Sequence, residues 1–174
     1  MAIPEELAKL LQRLGEARVM CLGDVMLDHF LYGEVTRISP EAPVPVFRIV
    51  RDTLMLGGAG NVARNLSALS ASSAFVACVG DDFAGREVAR LLAAEPGVEP
   101  CLETLFGRRT TEKSRFVAGV QQLMRADREE DSEIDGAARA AVLATVREQA
   151  AGRQRNPHDG AVRHPPQRRG PDDD

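Results

Sequence analysis

The sequence predicts an α/β fold in which helices flank a mainly parallel sheet. Short apolar runs typical of buried strands occur at Arg18–Leu22 and at residues 74–79, and each run ends at a glycine, Gly23 or Gly80. Segments with helical periodicity lie between and after these runs. Because strand and helix alternate along one chain, parallel strands joined by helical connections are favoured over a purely helical or purely β architecture.

Four helices are predicted from apolar side chains that recur at a period close to 3.6 residues. Two of them follow a polar residue that can accept hydrogen bonds from the first helical N–H groups, namely Asp82 and Ser132. The first helix begins at Pro4, whose fixed φ suits the first helical turn. The predicted helices cover residues 4–14, 60–69, 83–93 and 132–150.

Two extended regions interrupt the alternation of strand and helix. Residues 30–50 contain prolines among Val and Phe, which suits edge strands or an irregular flap better than a central strand. Residues 110–127 are rich in β-forming side chains, and Gly119 is expected in the turn between two strands. We expect the two regions to pair as a small separate sheet, a β lid.

Composition and charge argue against several functional classes. The net charge of −4 disfavours a nucleic-acid partner, and no apolar run approaches the roughly 18 residues that a membrane helix needs. The first six residues lack the apolar core of a secretory signal. The three cysteines, Cys21, Cys78 and Cys101, have no metal-type spacing. We therefore expect buried, reduced thiols in a cytoplasmic protein, with no metal site.

The composition changes after residue 150. Residues 151–174 are rich in Arg, Pro, His and Asp and contain only three apolar side chains. Because so few apolar groups cannot offset the entropy of ordering, this segment is predicted to be disordered. An anion-binding basic tail is the alternative, and the acidic residues 172–174 speak against it. The predicted organisation is one domain over residues 1–150 and a disordered segment over residues 151–174.

Two carboxylates follow the first predicted strand. Asp24 and Asp28 lie just beyond its carboxyl end, where open α/β sheets form the crevice that binds ligands. They are placed to accept hydrogen bonds from ligand hydroxyls. The alternative is that Asp24 caps a turn and Asp28 is solvated.

A glycine-rich segment opens the second predicted helix. The backbone of Gly57 and Gly58, with the amide of Asn61, suits a platform for a polyhydroxylated ligand. Residues 58–63 also fit the dinucleotide fingerprint G-x-G-x-x-A, which requires a strong strand directly before it. Only three apolar residues precede the glycines, so the sequence favours the sugar platform. The chain contains no G-x-x-x-x-G-K-[ST] phosphate loop, which argues against a P-loop ATPase.

Two cations lie in the second extended region. Lys113 and Arg115 fall on the same face of a strand, because side chains alternate along it. Two cations on one face could hold a phosphate group. A solvated lid surface explains them equally well.

These segments together resemble the ribokinase-like (PfkB) carbohydrate kinases. The resemblance extends over residues 15–150. Within the family, residues 36–46 resemble the heptose 7-phosphate kinases of ADP-heptose biosynthesis more than generic sugar kinases. The resemblance to the PfkB family is carried by LGDVMLD at residues 22–28, TRISPEAPVPV at 36–46, GGAGNVA at 57–63 and QQLMRAD at 121–127.

The resemblance implies a ribokinase-like sheet flanked by helices with a small β lid. It also implies an ATP- and Mg²⁺-dependent kinase that phosphorylates the anomeric hydroxyl of D-glycero-D-manno-heptose 7-phosphate, on the route to the heptose of lipopolysaccharide. The family's small-molecule partner would be this sugar phosphate, and a homodimer could form through the lid strands. By matching motif, the substrate-binding residues would be Asp24, Asp28, Gly57, Gly58, Asn61, Lys113 and Arg115.

The resemblance does not extend to the family's catalytic base. That base is an Asp in a G-x-G-D motif at the start of a late helix, where the helix N-terminus also stabilises the transferred phosphoryl group. No G-x-G-D occurs in these 174 residues. We therefore expect a truncated, N-terminal half of the fold with no catalytic residue, few of the elements that bind ATP and Mg²⁺, and no turnover alone.

Three functional hypotheses remain open from the sequence. The first is a heptose 7-phosphate kinase whose chain is cut short, by a frameshift before residues 151–174 or by a true deletion. The second is another PfkB sugar kinase, against which residues 36–46 argue. The third is a non-catalytic fragment that binds a sugar phosphate or forms dimers.

Overall fold

Two β-sheets and four helices make up the part of the chain that the structure describes. The structure is a computed structural model and describes residues 4–155. The elements in chain order are α1 (Glu5–Leu14), β1 (Arg18–Leu22), β2 (Val25–Ile38), β3 (Pro45–Gly58), α2 (Ala59–Ala68), β4 (Ser72–Gly80), α3 (Phe83–Ala93), β5 (Val98–Leu105), β6 (Glu112–Ala118), β7 (Gln121–Arg128) and α4 (Gly136–Arg155).

The first sheet, which we call the core sheet, is parallel and has the strand order β1-β4-β5. Its central strand β4 is buried along nearly all its length, as expected for a short run of apolar residues bounded by turns. Phe75 and Val79 of β4 pack into an apolar cluster with Val88 and Leu92 of α3. The alternate side chains face α4, where Thr145 donates a hydrogen bond to Glu103 of β5. Helices therefore cover both faces of the core sheet, as the sequence predicts.

The second sheet, which we call the lid sheet, is mixed and has the order β3-β2-β6-β7. Strands β2 and β3 are antiparallel, β2 and β6 are parallel, and β6 and β7 form an antiparallel hairpin. Gly119 lies in the turn of that hairpin with φ +59°, a conformation that glycine adopts without a steric penalty. The predicted separate β lid and its glycine turn are therefore confirmed.

The lid sheet starts closer to the core than the sequence suggests. Strand β2 begins at Val25, only three residues after β1, and its buried Val25 and Leu27 join the core cluster. Asp28 therefore follows β1 in the chain, as predicted, but it lies inside the next strand. The alternation of buried and half-buried residues from Val25 onward is the period-2 signal that identifies this part of the strand.

The strand before the glycine-rich segment also differs from the prediction. Strand β3 runs up to Gly58, so the conclusion that no strong strand precedes the glycines is wrong. However, β3 is antiparallel to β2 in the lid sheet, whereas α2 leads into β4 of the core sheet. The β3-α2-β4 connection is therefore not the parallel β-α-β unit that a dinucleotide fingerprint requires.

Helix α3 begins as predicted, whereas α4 does not. Asp82 caps α3 by accepting a hydrogen bond from the backbone N–H of Gly85 at 2.7 Å. Asp135, and not Ser132, fills this role for α4, because its carboxylate accepts from the N–H of Ala138 at 2.7 Å. The predicted Ser132 cap is wrong, since the helix begins only at Gly136.

The end of the described chain differs from the predicted domain boundary. Helix α4 continues to Arg155, so the first five residues of the segment predicted to be disordered are helical. The remainder of that segment, residues 156–174, lies outside the described residues. Strand β5 has no predicted counterpart, because Glu99, Pro100 and Glu103 break its apolar pattern.

Several surface features complete the fold. Cys21, Cys78 and Cys101 are all half-buried, so the expectation of buried thiols is wrong. Leu7 and Leu10 of the predicted apolar stripe on α1 are exposed. Among residues 4–155, no helix is both long enough and apolar enough to cross a membrane.

Candidate functional site

The junction of the lid sheet and α2 is shaped by two glycines. A Cβ on Gly57 would lie 2.5 Å from Oδ2 of Asp28, so the missing side chain leaves the space that this carboxylate fills. Gly58 has φ +58° and ψ −132°, and a Cβ there would lie 2.5 Å from the backbone oxygen of Asp24. That oxygen accepts the N–H of Ala59 at 2.9 Å. The start of α2 is therefore held directly beneath β2, in a conformation that only glycine adopts easily.

A small pocket of about 250 Å³ opens at this junction. The residues that line it include an aspartate, an asparagine, an arginine, a phenylalanine and two glycines. Carboxylate and amide oxygens accept hydrogen bonds from hydroxyls, and the amide nitrogen donates them. The pocket is lined by Asp28, Phe30, Met55, Leu56, Gly57, Gly58, Asn61 and Arg64.

Arg115 fixes the carboxylate of Asp28 in this pocket. The parallel register of β2 and β6 places Lys113 beside Asp28 and Arg115 beside Phe30. The Arg115 guanidinium donates to Oδ1 of Asp28 from Nη2 at 2.9 Å and from Nε at 3.2 Å. It also lies 5.6 Å from the centre of the Phe30 ring. Since both bonds go to Oδ1, Oδ2 is left on the side of Gly57 and the small pocket.

Lys113 is held by two acidic side chains of the β7 region. Its Nζ donates to Asp127 at 3.0 Å and to Glu129 at 3.1 Å. The hydrogen bond to Asp127, and then that to Glu129, raise the pKa of Lys113 above its ordinary value. Both predicted phosphate-binding cations, Lys113 and Arg115, are therefore paired with carboxylates. The sequence places the two on one strand face, but only Arg115 contacts a residue of the small pocket.

A second and larger opening, the large cleft, lies between the core sheet, the base of β6 and the start of α4, with a volume of about 740 Å³. Asp24 and Lys113 line this cleft and do not line the small pocket. Arg108 spans it by donating to Ser132 at 3.0 Å and to the backbone oxygen of Glu130 at 3.1 Å. The predicted pair of carboxylates, Asp24 and Asp28, is therefore divided between two openings.

Asp82 joins the core sheet to the lid sheet beside the large cleft. Its second oxygen accepts the N–H of Thr110 at 2.9 Å, and the Thr110 hydroxyl accepts the N–H of Gly80 at 2.8 Å. Burial favours the neutral carboxyl, but the N–H groups of Gly85 and Thr110 together outweigh burial and lower the pKa of Asp82. This ionised carboxylate thus ties the cap of α3 to the chain that enters β6.

A site for ATP and Mg²⁺ needs cations for the phosphates and oxygen ligands for the metal. Within residues 4–155, no three His, Cys, Asp or Glu side chains converge to hold a metal ion. Four cations line the large cleft. Arg108, Lys113 and Arg139 donate to oxygens of the protein, and the fourth is Arg109.

The structure brings together four of the predicted site residues, Asp28, Gly57, Gly58 and Asn61, in the small pocket. Arg64 in the same pocket has no counterpart among them. The signal that identifies Arg64 is helical spacing, because it follows Asn61 by three residues and so lies one turn further along the same face of α2.

The core sheet covered by helices, the lid sheet and the glycine platform at their junction define a ribokinase-like fold, the fold class of many carbohydrate kinases. The chain belongs to the pfkB family of carbohydrate kinases, which matches residues 16–149.

Curated relatives point to one branch of that family. The Bifunctional protein HldE of Paramagnetospirillum magneticum is 54% identical over 144 residues, which are 81% of this chain and 30% of that protein. The protein of the same name from a Caulobacter species is 52% identical over 134 residues, 77% of this chain and 28% of that protein. The chain thus spans less than a third of the length of these relatives.

Solved structures agree on the fold. A carbohydrate kinase from Agrobacterium tumefaciens has a TM-score of 0.52 at 26% identity, and the match covers 64% of this chain and 35% of that chain. Ribokinase from Giardia lamblia has a TM-score of 0.51 at 18% identity, over 75% of this chain and 42% of that chain. The second likeness concerns the fold alone.

Proposed function

We propose that this chain forms the sugar-binding part of an ATP-dependent kinase that acts on the anomeric hydroxyl of D-glycero-D-manno-heptose 7-phosphate. The reaction would be a cytoplasmic step of ADP-heptose formation for the lipopolysaccharide core. The relatives named HldE support the heptose branch of the family. The observation that carries the proposal is the small pocket, where the Asp28 carboxylate and the Asn61 amide lie beside bare glycine backbone.

In this proposal each side chain has a defined role in sugar binding. Asp28 accepts hydrogen bonds from sugar hydroxyls through Oδ2, while Arg115 holds Oδ1. Asn61 offers both a donor and an acceptor, and Gly57 leaves the space that the Asp28 carboxylate occupies, while Gly58 allows the positive φ at the start of α2. Asp24 would contact the part of the sugar that extends into the large cleft.

The proposed contact of Lys113 and Arg115 with the 7-phosphate requires a change of partner. Each cation is paired with a carboxylate, so a phosphate group must share or displace that carboxylate to reach it. Arginine can serve two anions at once because its guanidinium carries five N–H donors, whereas Lys113 already uses two of its three.

We assign ATP and Mg²⁺ to parts of the protein outside residues 4–155, because within those residues no three His, Cys, Asp or Glu side chains converge to hold a metal ion. The second candidate function, binding of a sugar phosphate without catalysis, rests on the same observation. The assignment of the nucleotide site is tested by incubating the purified 174-residue chain with heptose 7-phosphate, ATP and Mg²⁺. We expect no phosphorylation, and a measurable turnover would contradict this assignment of the nucleotide site.

A homodimer formed through the lid sheet is also part of the proposal. Strand β7 is an edge strand with every residue exposed, and its Leu123 and Met124 are exposed apolar side chains. An exposed edge of this kind can pair with the same strand of a second copy. Sedimentation equilibrium is expected to give twice the mass of the chain. A chain that is still monomeric at a concentration of roughly 100 μM would contradict the dimer.

The test of sugar binding is the substitution Asp28→Asn. Asparagine keeps the size of the side chain but removes the charge that strengthens hydrogen bonds from hydroxyls. We expect titration calorimetry to show heptose 7-phosphate binding to the wild-type chain and an affinity about 10- to 100-fold lower in the variant.

The matched control is Asp52→Asn, on the opposite face of the lid sheet. Asp52 is exposed and bonds to His29 instead of lining the pocket, so sugar affinity is expected to stay unchanged. Equal affinity of the Asp28→Asn variant and the wild type would overturn the proposed role of Asp28, and no binding by the wild type would overturn the proposed function.

A further inference from the structure

We propose that Arg64 makes the small pocket selective for sugars that carry an anionic group such as a phosphoryl group. This inference rests on the proposed sugar-binding function and adds a specificity-determining residue to it. A pocket with only Asp28 and Asn61 would recognise hydroxyls. A guanidinium in the same wall adds recognition of an anion, so the preferred ligand carries both kinds of group.

The position of Arg64 follows from the geometry of α2. Asn61 and Arg64 are separated by three residues, so their side chains lie next to each other on the surface of the helix. Both line the small pocket together with Asp28, which reaches it from β2. A ligand held between Asn61 and Asp28 through its hydroxyls therefore has Arg64 beside it in the lining of the same small pocket.

Arg64 differs from the other cations near the site in how many donors it has left. Arg115 gives Nε and Nη2 to Asp28, and Lys113 gives two of its three protons to acidic side chains. Arg64 donates from Nε to Glu95 at 3.2 Å. Within residues 4–155, its two terminal Nη groups make no hydrogen bond, so they remain available to a ligand.

Glu95 acts as a positioning residue for this guanidinium. It follows the end of α3, where its N–H donates to the backbone oxygen of Leu92, so its place is fixed by the core. The Arg64 side chain retains 35% of its exposure and that of Glu95 retains 26%. A planar guanidinium held at Nε keeps the donors on its other edges in a fixed arrangement, which suits the oxygens of a phosphoryl group.

The test compares two probes, D-glycero-D-manno-heptose 7-phosphate and the same heptose without phosphate, by titration calorimetry on the 174-residue chain. For Arg64→Gln we expect affinity for the phosphorylated sugar to fall about 10- to 100-fold, because charge-assisted hydrogen bonds are lost. Affinity for the unphosphorylated sugar is expected to change less than about 3-fold, because the bonds to its hydroxyls are kept. The ratio of the two affinities is the readout, since a merely structural role would weaken both probes together.

The matched control is Arg90→Gln, which removes a similar arginine–glutamate pair from the surface of α3, outside the small pocket. We expect it to leave both affinities unchanged. If Arg64→Gln does not fold, as judged by thermal melting, Arg64→Lys provides the same comparison with the charge kept. It should then lose part of the preference for the phosphorylated sugar, because lysine cannot form the planar fork.

The outcomes separate this inference from the proposed function. If the wild type binds the phosphorylated sugar and Arg64→Gln leaves the ratio unchanged, or lowers both affinities equally, the role of Arg64 is overturned and sugar binding stands. The role of Arg64 is likewise overturned if Arg64→Lys, used in its place, keeps the full wild-type preference. If the wild type binds neither probe, the proposed function fails, and the inference about Arg64 fails with it.

Discussion

The core sheet and the lid sheet are built on different physical principles. Strand β4 of the core sheet is buried along nearly its whole length, whereas every residue of β7 in the lid sheet is exposed. Beyond its buried base, where Leu27 and Leu56 join the core cluster, the lid sheet depends on its backbone ladder and on charged pairs such as Arg115 with Asp28. Apolar burial therefore stabilises the fold in one region, and the other region is free to present polar groups to a ligand.

The largest expected effect is the loss of a core side chain. Phe75 is fully buried, so Phe75→Ala should lower the free energy of unfolding by about 3–5 kcal/mol, through lost burial and a residual cavity. Phe47, which packs edge-on against Phe116 in the lid sheet, is half-buried, and Phe47→Ala should cost about 1–2 kcal/mol. Urea unfolding measures both values. Equal losses would contradict the difference between the two sheets.

A smaller effect is expected at Asp82, which links the two sheets. In Asp82→Asn only one side-chain oxygen remains to accept from the N–H groups of Gly85 and Thr110, so the variant should lose about 1–2 kcal/mol of stability at pH 7. Because folding lowers the pKa of Asp82, its contribution is present above the ordinary value of about 3.9 and is lost as pH falls through the folded pKa.

The measurement for Asp82 is urea unfolding of wild type and variant over a range of pH. The difference in the free energy of unfolding between wild type and variant should be constant near neutrality. It should disappear as the solution becomes more acidic than about pH 4. A gap that widens in acid would show that the carboxylate is not stabilised by folding.

The smallest effect is expected for a charged pair of the lid sheet. Lys113→Met keeps the length of the side chain but removes its bonds to Asp127 and Glu129, and it should cost less than about 1 kcal/mol. The cost should shrink as salt is added, because exposed charges are screened. Urea unfolding at low and high salt tests this, with Arg48→Met as a control that removes the more exposed pair with Glu34. A loss as large as that of Phe75→Ala would show that ion pairs stabilise the lid sheet as strongly as burial stabilises the core.

Local signals explain which elements could be predicted from the sequence. Strand β4 has a continuous apolar run, α3 has Asp82 directly before its first turn, and the β6–β7 hairpin has a glycine at the turn. Each of these signals lies within a few residues of the feature it specifies. The glycine segment at the start of α2 could be predicted for the same reason, because the need for residues without a Cβ arises at Gly57 and Gly58 themselves.

The remaining features depend on distant partners. Strand β5 carries Pro100 and two glutamates, and it is a strand because β4 lies beside it in parallel register. Likewise, the pairing of Arg115 with Asp28 depends on the register between β2 and β6, which join residues 87 positions apart in sequence. Cations that appear available in the sequence are therefore already bound in the folded chain.

The contact between Gly57 and Asp28 has a consequence for sorting related sequences. The Asp28 carboxylate can occupy its position only while residue 57 has no side chain, because an added Cβ would lie 2.5 Å from Oδ2. An aspartate aligned with Asp28 is therefore uninformative on its own. In a relative with alanine or a larger residue at the position of Gly57, the carboxylate must lie elsewhere, even if every polar residue of the small pocket is retained.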